Sequence, residues 1–337
     1  MNNLKIVVLL FMSMLANAQV IPVGFMKKSG IPPTLGSTEV LKFGLTTATI
    51  KGNITSNGGG AIVASGICYS STMISPTLAD NVTTDGGSFG VFTSALTSLR
   101  QNTTYYVRAY STNSSGTSYG TTVSFSTYGT VVTRTGRTWL DRNLGASRVA
   151  QSSTDALAYG DYFQWGRPAD GHEKVAANGT TADFTNVRSA TSAPSHSMVI
   201  APNDGSYDWL ATPDNSLWSG VNAANNPCPT GFRLPTVSEW YAEAAKFSPA
   251  NVNGTFEPTF GLRMTMAGSA FGLNTFLPNA FYPAKGNYGQ YLTQTAYTVY
   301  NTNRIGAVHY FGVNGSNYWD DTNYKKSHGM SVRCILN

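Results

Sequence analysis

The chain has 337 residues, enough for two domains or for one large domain with a substantial buried core. Hydrophobic residues make up 41% of it, but charged residues make up only 12%, about half of the roughly 25% that is usual for soluble domains. Coiled coils, long helical proteins and charged disordered tails need many Glu, Lys and Arg residues. The composition therefore excludes these classes and favours short strands and polar, uncharged loops.

Residues 1–18 have the parts of a secretory signal peptide. Lys5 precedes the apolar stretch Ile6–Leu15, and Ala16-Asn17-Ala18 fits the small-x-small cleavage rule. A stretch of this length is too short for a hydrocarbon core that needs about 20 residues, so we expect cleavage near Ala18 and no membrane insertion. The mature protein would be extracellular or held at the cell surface, with residues 19–36 as an N-terminal linker.

Residues 37–128 are rich in β-branched and aromatic residues between Gly, Asn and Ser turns, which is typical of short strands. The clearest predicted strands are Thr47–Gly52, Thr104–Tyr110 and Thr121–Ser126. Because no helical period of comparable strength occurs in this stretch, it predicts an all-β sandwich.

Four groups of residues in this stretch are distinctive. They are Gly66-Ile67-Cys68-Tyr69-Ser70, Ser75-Pro76-Thr77, Leu99 with Tyr105–Tyr110, and Asn113–Gly120. Together they resemble a bacterial fibronectin type III-like module. The spacing from Leu99 to Tyr105 is similar to that fold's tyrosine corner, in which a phenol hydroxyl bonds to nearby main chain. The resemblance implies a sandwich that acts mainly as a spacer.

From about residue 129 the sequence changes to scattered Trp, Gly and loops, with one clear helix signal. The capping box Thr236-Val237-Ser238-Glu239 is followed by apolar residues at helical spacing as far as Phe247, and Ser248-Pro249 ends the pattern. One helix among irregular strands predicts an α+β domain over residues 129–337.

Four motifs follow one another in this region. They are Thr138–Gly145, Tyr159–Gly166, Pro227–Trp240 and Gly329–Cys334. In this order they resemble the Fibrobacter succinogenes major paralogous domain of secreted bacterial proteins, a family similar to the formylglycine-generating-enzyme and C-type lectin folds. The resemblance implies a C-type-lectin-like domain with a structural disulfide. The sequence departs from the family at Gln290–Thr295, where the family commonly has Tyr-Trp-Ser-Ser-Thr.

The chain has three cysteines, and export makes a disulfide feasible. Cys68 lies in an apolar run, where we expect a buried, inert thiol. The resemblance implies a bridge between Cys228 and Cys334. Formylglycine-generating oxidases use reactive cysteines, but a bridged pair offers no thiolate, so we expect no oxidase activity.

The net charge of +5 does not come from a basic surface. The predicted signal peptide carries +1 and residues 19–36 carry +2, while each of the two predicted domains carries only +1. Nucleic-acid binding needs clustered Lys and Arg, so the sequence argues against nucleic acid as a partner.

Other patterns that could carry chemistry have simpler interpretations. Gly-x-Ser-x-Gly stretches at residues 86–90 and 116–120 lack the following helix of a nucleophile elbow and are interpreted as β-turns. The four histidines show no metal-ligand spacing and are expected at the surface.

A polysaccharide hydrolase stays an alternative, because a pair of carboxylates could act as general acid and general base. The available carboxylates are Asp141, Asp204, Asp208 and Glu239.

Tyr318-Trp319-Asp320-Asp321 is similar to the Trp-Asn-Asp calcium and sugar motif of C-type lectins, with Asp320 and Asp321 as oxygen ligands. The companion Glu-Pro-Asn triplet is missing at the expected distance, and a solvated acidic loop is the favoured interpretation. We therefore expect no cofactor, with calcium as the one candidate.

The strongest signal is the composition of residues 286–328, where seven Tyr and six Asn occupy 13 of 43 positions. Tyr supplies rigid amphipathic contact area and Asn supplies adaptable hydrogen bonds, a combination typical of binding surfaces and suited to sugars. The candidate ligand-binding residues are Tyr297, Tyr300, Asn303, His309, Tyr310, Asn317, Tyr318, Trp319, Asp320 and Tyr324. An exposed loop without function is the alternative. The segment also resembles the variable region of retroelement-diversified lectin-fold proteins.

These patterns predict a secreted or cell-surface adhesion protein without enzymatic activity, in which a spacer presents a domain that binds a glycan or a surface protein. Two alternatives stay open. One is a structural subunit of an extracellular filament or matrix, which would self-associate, and the other is the polysaccharide hydrolase.

Overall fold

The structure is a computed structural model. It describes residues 30–174, 184–205, 208–246, 261–268, 286, 289–299, 302–308 and 323–337. The predicted signal peptide lies outside the described residues. Residues 30–128 form nine strands, which are β1 Thr34–Leu35, β2 Glu39–Phe43, β3 Ala48–Ser56, β4 Ala64–Ser70, β5 Asn81–Val82, β6 Gly90–Leu96, β7 Thr104–Asn113, β8 Gly116–Tyr119 and β9 Val123–Ser126.

Two antiparallel sheets share one core in this part of the chain. In the first sheet β3 is central, with β1 and β2 on one side and β6 on the other. The second sheet runs β5-β4-β7, and β8 and β9 both pair with β7. Buried and half-buried residues alternate along β3, as expected when one face of a strand packs on a core. The predicted β-sandwich is confirmed. The β-turn interpretation of residues 116–120 is wrong, because Gly116–Tyr119 pairs with β7 as a hairpin strand.

The predicted tyrosine corner is also confirmed. The Arg100 amide donates to the Tyr105 hydroxyl at 2.9 Å, and the Tyr105 ring stacks with Phe125. Leu99 is buried in the same core cluster. The hydrogen bond therefore fixes the loop before β7 to the strand that follows it.

The described parts of residues 129–337 contain short strands, one α-helix and long connections. The strands are β10 Thr130–Val132, β11 Thr138–Leu140, β12 Phe163–Gln164, β13 Phe184–Thr185, β14 Val199–Ile200, β15 Phe232–Arg233, β16 Tyr291–Val299, β17 Thr302–Val308, β18 Asn323–Lys325, β19 Gly329–Met330 and β20 Ile335–Leu336. One sheet has the order β10-β11-β20-β15, another has the order β16-β17-β18, and two further pairs join β12 to β19 and β13 to β14. This region, called the C-terminal region below, is thus mainly β, and its lectin-like topology stays a prediction.

The helix, α1, spans Val237–Ala244 and begins at the predicted capping box. The Thr236 hydroxyl accepts from the Glu239 amide at 3.1 Å, and the Glu239 carboxylate accepts from the Thr236 amide at 2.8 Å. Two backbone donors at the start of the helix are thereby satisfied.

The helix ends earlier than the sequence predicts. The pattern extended to Ser248-Pro249, but α1 stops at Ala244 and is capped by Ala245. Its last turn is tied to the sheet by Glu243, whose buried carboxylate accepts from the Trp139 indole at 3.1 Å. None of the helices in the described ranges has the length and apolar character needed to cross a bilayer.

The four sequence motifs meet in the core of the C-terminal region. Trp139 packs on Trp240 with ring centroids 4.8 Å apart, and Trp240 packs on Tyr291 at 5.5 Å. Arg333 is buried, and Asn143 Oδ1 accepts from its Nε at 3.0 Å and from its Nη2 at 2.8 Å. The motif residues therefore specify packing and buried hydrogen bonds.

The disulfide implied by the resemblance is confirmed. Cys228 and Cys334 are bridged, with their Cα atoms 5.9 Å apart. The third cysteine, Cys68, is buried in the sandwich, and burial raises the pKa of its thiol to about 11. The expected burial of Cys68 is therefore confirmed, and the raised pKa is consistent with an unreactive thiol.

The sandwich and the C-terminal region are in direct contact. Tyr128 lies at the end of the sandwich with its ring centroid 4.9 Å from that of Phe43, and it belongs to the same buried cluster as Leu144. The Gly145 amide donates to the Tyr128 hydroxyl at 2.8 Å. Arg142 Nη2 donates to the Thr127 carbonyl oxygen at 3.2 Å. A buried aromatic side chain thus joins the two parts.

Candidate functional site

Three of the ten candidate ligand-binding residues lie on described strands. Tyr297 is on β16, Asn303 is on β17 and Tyr324 is on β18. The other seven lie outside the described residues, as does the candidate calcium ligand Asp321. These seven are Tyr300, His309, Tyr310, Asn317, Tyr318, Trp319 and Asp320.

The three-stranded sheet brings these three candidates onto adjacent strands. In its backbone register Tyr297 pairs with Arg304, Thr298 pairs with Asn303, and Tyr324 pairs with Ile305. Neighbouring strands lie about 4.8 Å apart, so residues far apart in sequence become neighbours here. The sheet formed by β16, β17 and β18 is called the display sheet below.

The display sheet is anchored to the core where β16 begins. Tyr291 is buried, and its hydroxyl accepts from the Thr265 amide at 2.9 Å and donates to the Thr265 carbonyl at 3.0 Å. Leu292 is buried beside it. Tyr291, which was not a candidate ligand-binding residue, therefore belongs to the core, because its hydroxyl is satisfied by main chain and its ring can be buried.

The residue after β18 anchors the other end of the display sheet. Lys326 is only 1% exposed, yet its ammonium group has three polar neighbours. Nζ lies 3.0 Å from Asp208 Oδ2 and donates to Asn215 Oδ1 at 2.7 Å and to the Asp214 carbonyl at 3.3 Å. It also lies 4.8 Å from the centre of the Trp165 ring. The charge is therefore tolerated in the interior, and this end of the segment is core as well.

The four carboxylates weighed for hydrolysis are all paired with cations. The pairs are Asp141 with Arg142 at 2.9 Å, Asp204 with Arg188 at 3.0 Å, Asp208 with Lys326 at 3.0 Å and Glu239 with Arg233 at 2.8 Å. Burial raises the pKa of Asp208. Burial also opposes ionisation of Glu239, but hydrogen bonds from Arg233 and the Thr236 amide lower its pKa to about 2. The structure thus gives each of these groups a structural partner.

The expectation that the histidines lie at the surface is wrong for His172, which is buried. Its Nε2 accepts from the Gln164 amide at 3.1 Å, and its Nδ1 donates to Asp170 Oδ1 at 2.7 Å. Burial is tolerated because both ring nitrogens are hydrogen-bonded, and burial lowers the pKa of His172. Of the other histidines, His196 and His328 are half-buried, and His309 lies outside the described residues.

Asp170, His172 and Glu173 could offer ligand atoms within 4.8 Å of one another. The site would have to displace existing bonds, however. The lone pair of His172 Nε2 is already used by Gln164, and Glu173 Oε2 accepts from the Gly171 amide at 2.9 Å. The cluster is fully explained as a buried hydrogen-bond network.

Sequence reasoning missed a cleft of about 440 Å³ where the sandwich meets the C-terminal region. Its walls come from the β2–β3 turn and from segments within residues 161–174 and 224–230. The two segments of the C-terminal region overlap the Tyr159–Gly166 and Pro227–Trp240 motifs, whereas the β2–β3 turn belongs to the sandwich and shares no motif with them. The sequence motifs therefore gave no sign that the sandwich contributes a wall.

No protein-family model matches the sequence, and no curated protein matches it. Many solved structures resemble part of the chain, and three of them serve as examples. A myokine structure is 15% identical over 28% of this chain and 97% of its own, with a TM-score of 0.24. The FN1–FN3 domains of chicken CNTN1 are 17% identical over 29% of this chain and 32% of their own, with a TM-score of 0.24. The third fibronectin III domain of the human KIAA0343 protein is 18% identical over 30% of this chain and 86% of its own, with a TM-score of 0.23.

The strand pairing of residues 30–128 itself, rather than these likenesses, defines a fibronectin type III-like sandwich. Its tyrosine corner agrees with that class. The resemblance of residues 129–337 to the Fibrobacter succinogenes major paralogous domain stays a prediction.

Proposed function

We propose that this chain is an exported, surface-displayed binding protein in which the sandwich presents a C-type-lectin-like domain. The ligand is a glycan or a surface protein, and it is recognised by the Tyr- and Asn-rich segment that includes the display sheet. The observation that carries the proposal is the anchoring of this sheet at both ends, by Tyr291 and by Lys326.

Anchoring of this kind favours binding because it reduces the entropy that a ligand would otherwise cost to order the segment. The Tyr side chains then supply contact area with few rotatable bonds, and the Asn side chains supply hydrogen bonds. The disulfide adds to the effect, since Cys334 lies a few residues beyond Lys326 and is bridged to Cys228.

A non-catalytic role is supported by the state of the reactive groups. The carboxylates weighed for hydrolysis are paired with cations, and the Cys228 and Cys334 thiols are consumed in the bridge. Glycosidases need one carboxylic acid and one free carboxylate flanking the substrate. Each candidate carboxylate would have to leave its cation first.

The test is simultaneous replacement of Tyr300, Tyr310, Tyr318 and Trp319 by Ala in the full mature chain, screened on glycan arrays and surface-protein libraries. We expect binding to fall at least tenfold while the melting temperature stays within about 3 °C, because the proposal assigns these four side chains to a ligand-binding surface, where substitutions change stability little. The matched controls are Phe89→Ala in the sandwich and Phe184→Ala in the C-terminal region, both exposed aromatic residues.

If the fourfold variant binds an identified ligand as tightly as the native chain does, the assignment of the binding site to this segment is wrong. Since both predicted domains are nearly neutral, affinity should change less than about twofold when salt rises from about 50 to 500 mM. Loss of binding in EDTA that calcium alone restores, and that Asp320→Asn with Asp321→Asn abolishes, would favour the calcium site. Concentration-dependent polymerisation without any ligand would favour the filament alternative.

A further inference from the structure

The cleft at the junction of the sandwich and the C-terminal region has the dimensions of a ligand site. Its volume of about 440 Å³ is within the usual range for small-molecule pockets, which occur preferentially at domain interfaces. The sandwich contributes Lys42, Phe43 and Thr47, which flank the β2–β3 turn. The C-terminal region contributes the facing walls.

One facing wall is a loop that side chains and a covalent bond hold in place. Asn225 Nδ2 donates to the Gly166 carbonyl oxygen at 2.8 Å. Asn226 Oδ1 accepts from the Cys228 amide at 3.1 Å, and Cys228 is bridged to Cys334. This wall is therefore preorganised although it contains no helix or strand.

The other facing wall carries charged side chains, and the charged residues that line the cleft sum to no net charge. Asp161 packs against Gly145, which has a φ of +77° and where any Cβ would lie 2.1 Å from the carboxylate. Asp161 Oδ2 accepts from Lys174 Nζ at 2.7 Å, and burial raises the pKa of this carboxyl, with Lys174 opposing the shift. Lys42 and Glu173 are the remaining charged lining residues. Two cationic and two acidic residues thus line the cleft.

We propose that this cleft binds a short uncharged saccharide of disaccharide size, at a site separate from the display sheet. A charged ligand would lose hydration there without meeting a net counter-charge. Sugar hydroxyls can donate to the Asp161 carboxylate and accept from the ammonium groups of Lys42 and Lys174. Phe43 and Pro229, which also line the cleft, offer apolar surface to the CH groups of the sugar.

The experiment measures binding to the full mature chain by ligand-observed NMR and calorimetry. The probes are cellobiose, maltose, lactose and N,N′-diacetylchitobiose, with digalacturonate and the chitosan dimer as charged comparators. We expect at least one uncharged probe to bind at least tenfold more tightly than both comparators. No binding by any uncharged probe, or tighter binding of a charged one, would overturn the proposal.

Two adjacent substitutions then locate the site. Thr47→Trp fills the cleft, whereas Thr46→Trp places the same side chain at an exposed neighbour that does not line it. We expect at least a tenfold loss of affinity for Thr47→Trp and less than a twofold change for Thr46→Trp. Equal effects would place the sugar elsewhere. If Thr47→Trp does not fold, Ala224→Trp fills the cleft from the facing wall.

The fourfold variant of the display sheet region separates this proposal from the proposed function. It should keep full affinity for the disaccharide, since the described residues that line the cleft all lie within residues 40–230. Loss of disaccharide binding in that variant would place the sugar at the Tyr- and Asn-rich segment and overturn the cleft site alone.

Discussion

Glu239 shows how one side chain can serve a helix and an ion pair together. Its carboxylate accepts from the Thr236 amide and from both Arg233 and Arg137, and its side chain is 8% exposed. The cations and the amide stabilise the charged form, so the folded pKa of about 2 lies below the usual value of 4.5. Ionisation of Glu239 therefore stabilises the folded state.

This pKa predicts a defined loss of stability in acid. The stabilisation is present above about pH 4.5 and is lost as the pH falls through about 2, because protonation then breaks the pairs. We expect the difference in free energy of unfolding between the native chain and Glu239→Gln to shrink by about 2–3 kcal/mol between pH 5.5 and 2.5. Urea denaturation at several pH values measures it. The exposed pair of Glu39 with Lys51 is the control, and an equal effect in Glu39→Gln would contradict the prediction.

The tyrosine corner allows a test on a single atom. Tyr105→Phe removes the hydroxyl that accepts from the Arg100 amide and leaves the ring in place. We expect the free energy of unfolding to fall by about 1–2 kcal/mol, since a partly buried donor loses its partner. Tyr106→Phe is the control, because Tyr106 is half-buried on the same strand and its hydroxyl bonds to no described residue. Equal changes in both variants, measured by guanidinium denaturation, would refute a special role for the corner.

At the level of elements, the disulfide closes about half of the C-terminal region into one loop. Cys228 and Cys334 are 106 residues apart, and the display sheet lies between them. Chain-entropy estimates give about 4.7 kcal/mol for a loop of about 100 residues. We expect the double variant Cys228→Ala with Cys334→Ala to lose about 3–5 kcal/mol of unfolding free energy. Reductant should destabilise the native chain and leave the stability of the double variant unchanged. If the double variant loses less than about 1 kcal/mol of unfolding free energy, the predicted contribution of the disulfide is wrong.

The elements also show where sequence patterns were sufficient. Thr236 and Glu239 define the start of α1 because a capping box depends only on neighbouring residues. The end of α1 was missed, since the pattern could not show that the helix stops at Ala244. The strands of the display sheet were missed too, because a composition rich in Tyr and Asn describes surface chemistry and leaves strand pairing open.

At the level of the whole molecule, Tyr128 couples the sandwich to the C-terminal region. It is 3% exposed and packs on Phe43 from the sandwich and in one cluster with Leu144 from the other side. We expect the native chain to unfold in a single calorimetric transition. Tyr128→Ala should cost about 3–5 kcal/mol and split the transition in two, because the shared core is emptied.

The control for this coupling is Phe89→Ala, which removes an exposed aromatic ring from the sandwich. It should leave one transition at an unchanged temperature. A single transition in Tyr128→Ala, merely shifted to lower temperature, would show that the two parts remain coupled through other contacts, such as the bond from Arg142 to the Thr127 carbonyl.

The sequence by itself determined the features that depend on residues close together in the chain: the three clearest strands of the sandwich, the tyrosine corner and the helix start. The bridge between Cys228 and Cys334 also followed from it, through motif order. Only the tertiary structure decided which polar groups are buried, since Lys326 can leave water only where residues more than 100 positions away supply its hydrogen bonds. The tertiary structure also determined where the cleft lies. Its walls come from separate segments of the chain, which meet only when the sandwich and the C-terminal region have both folded.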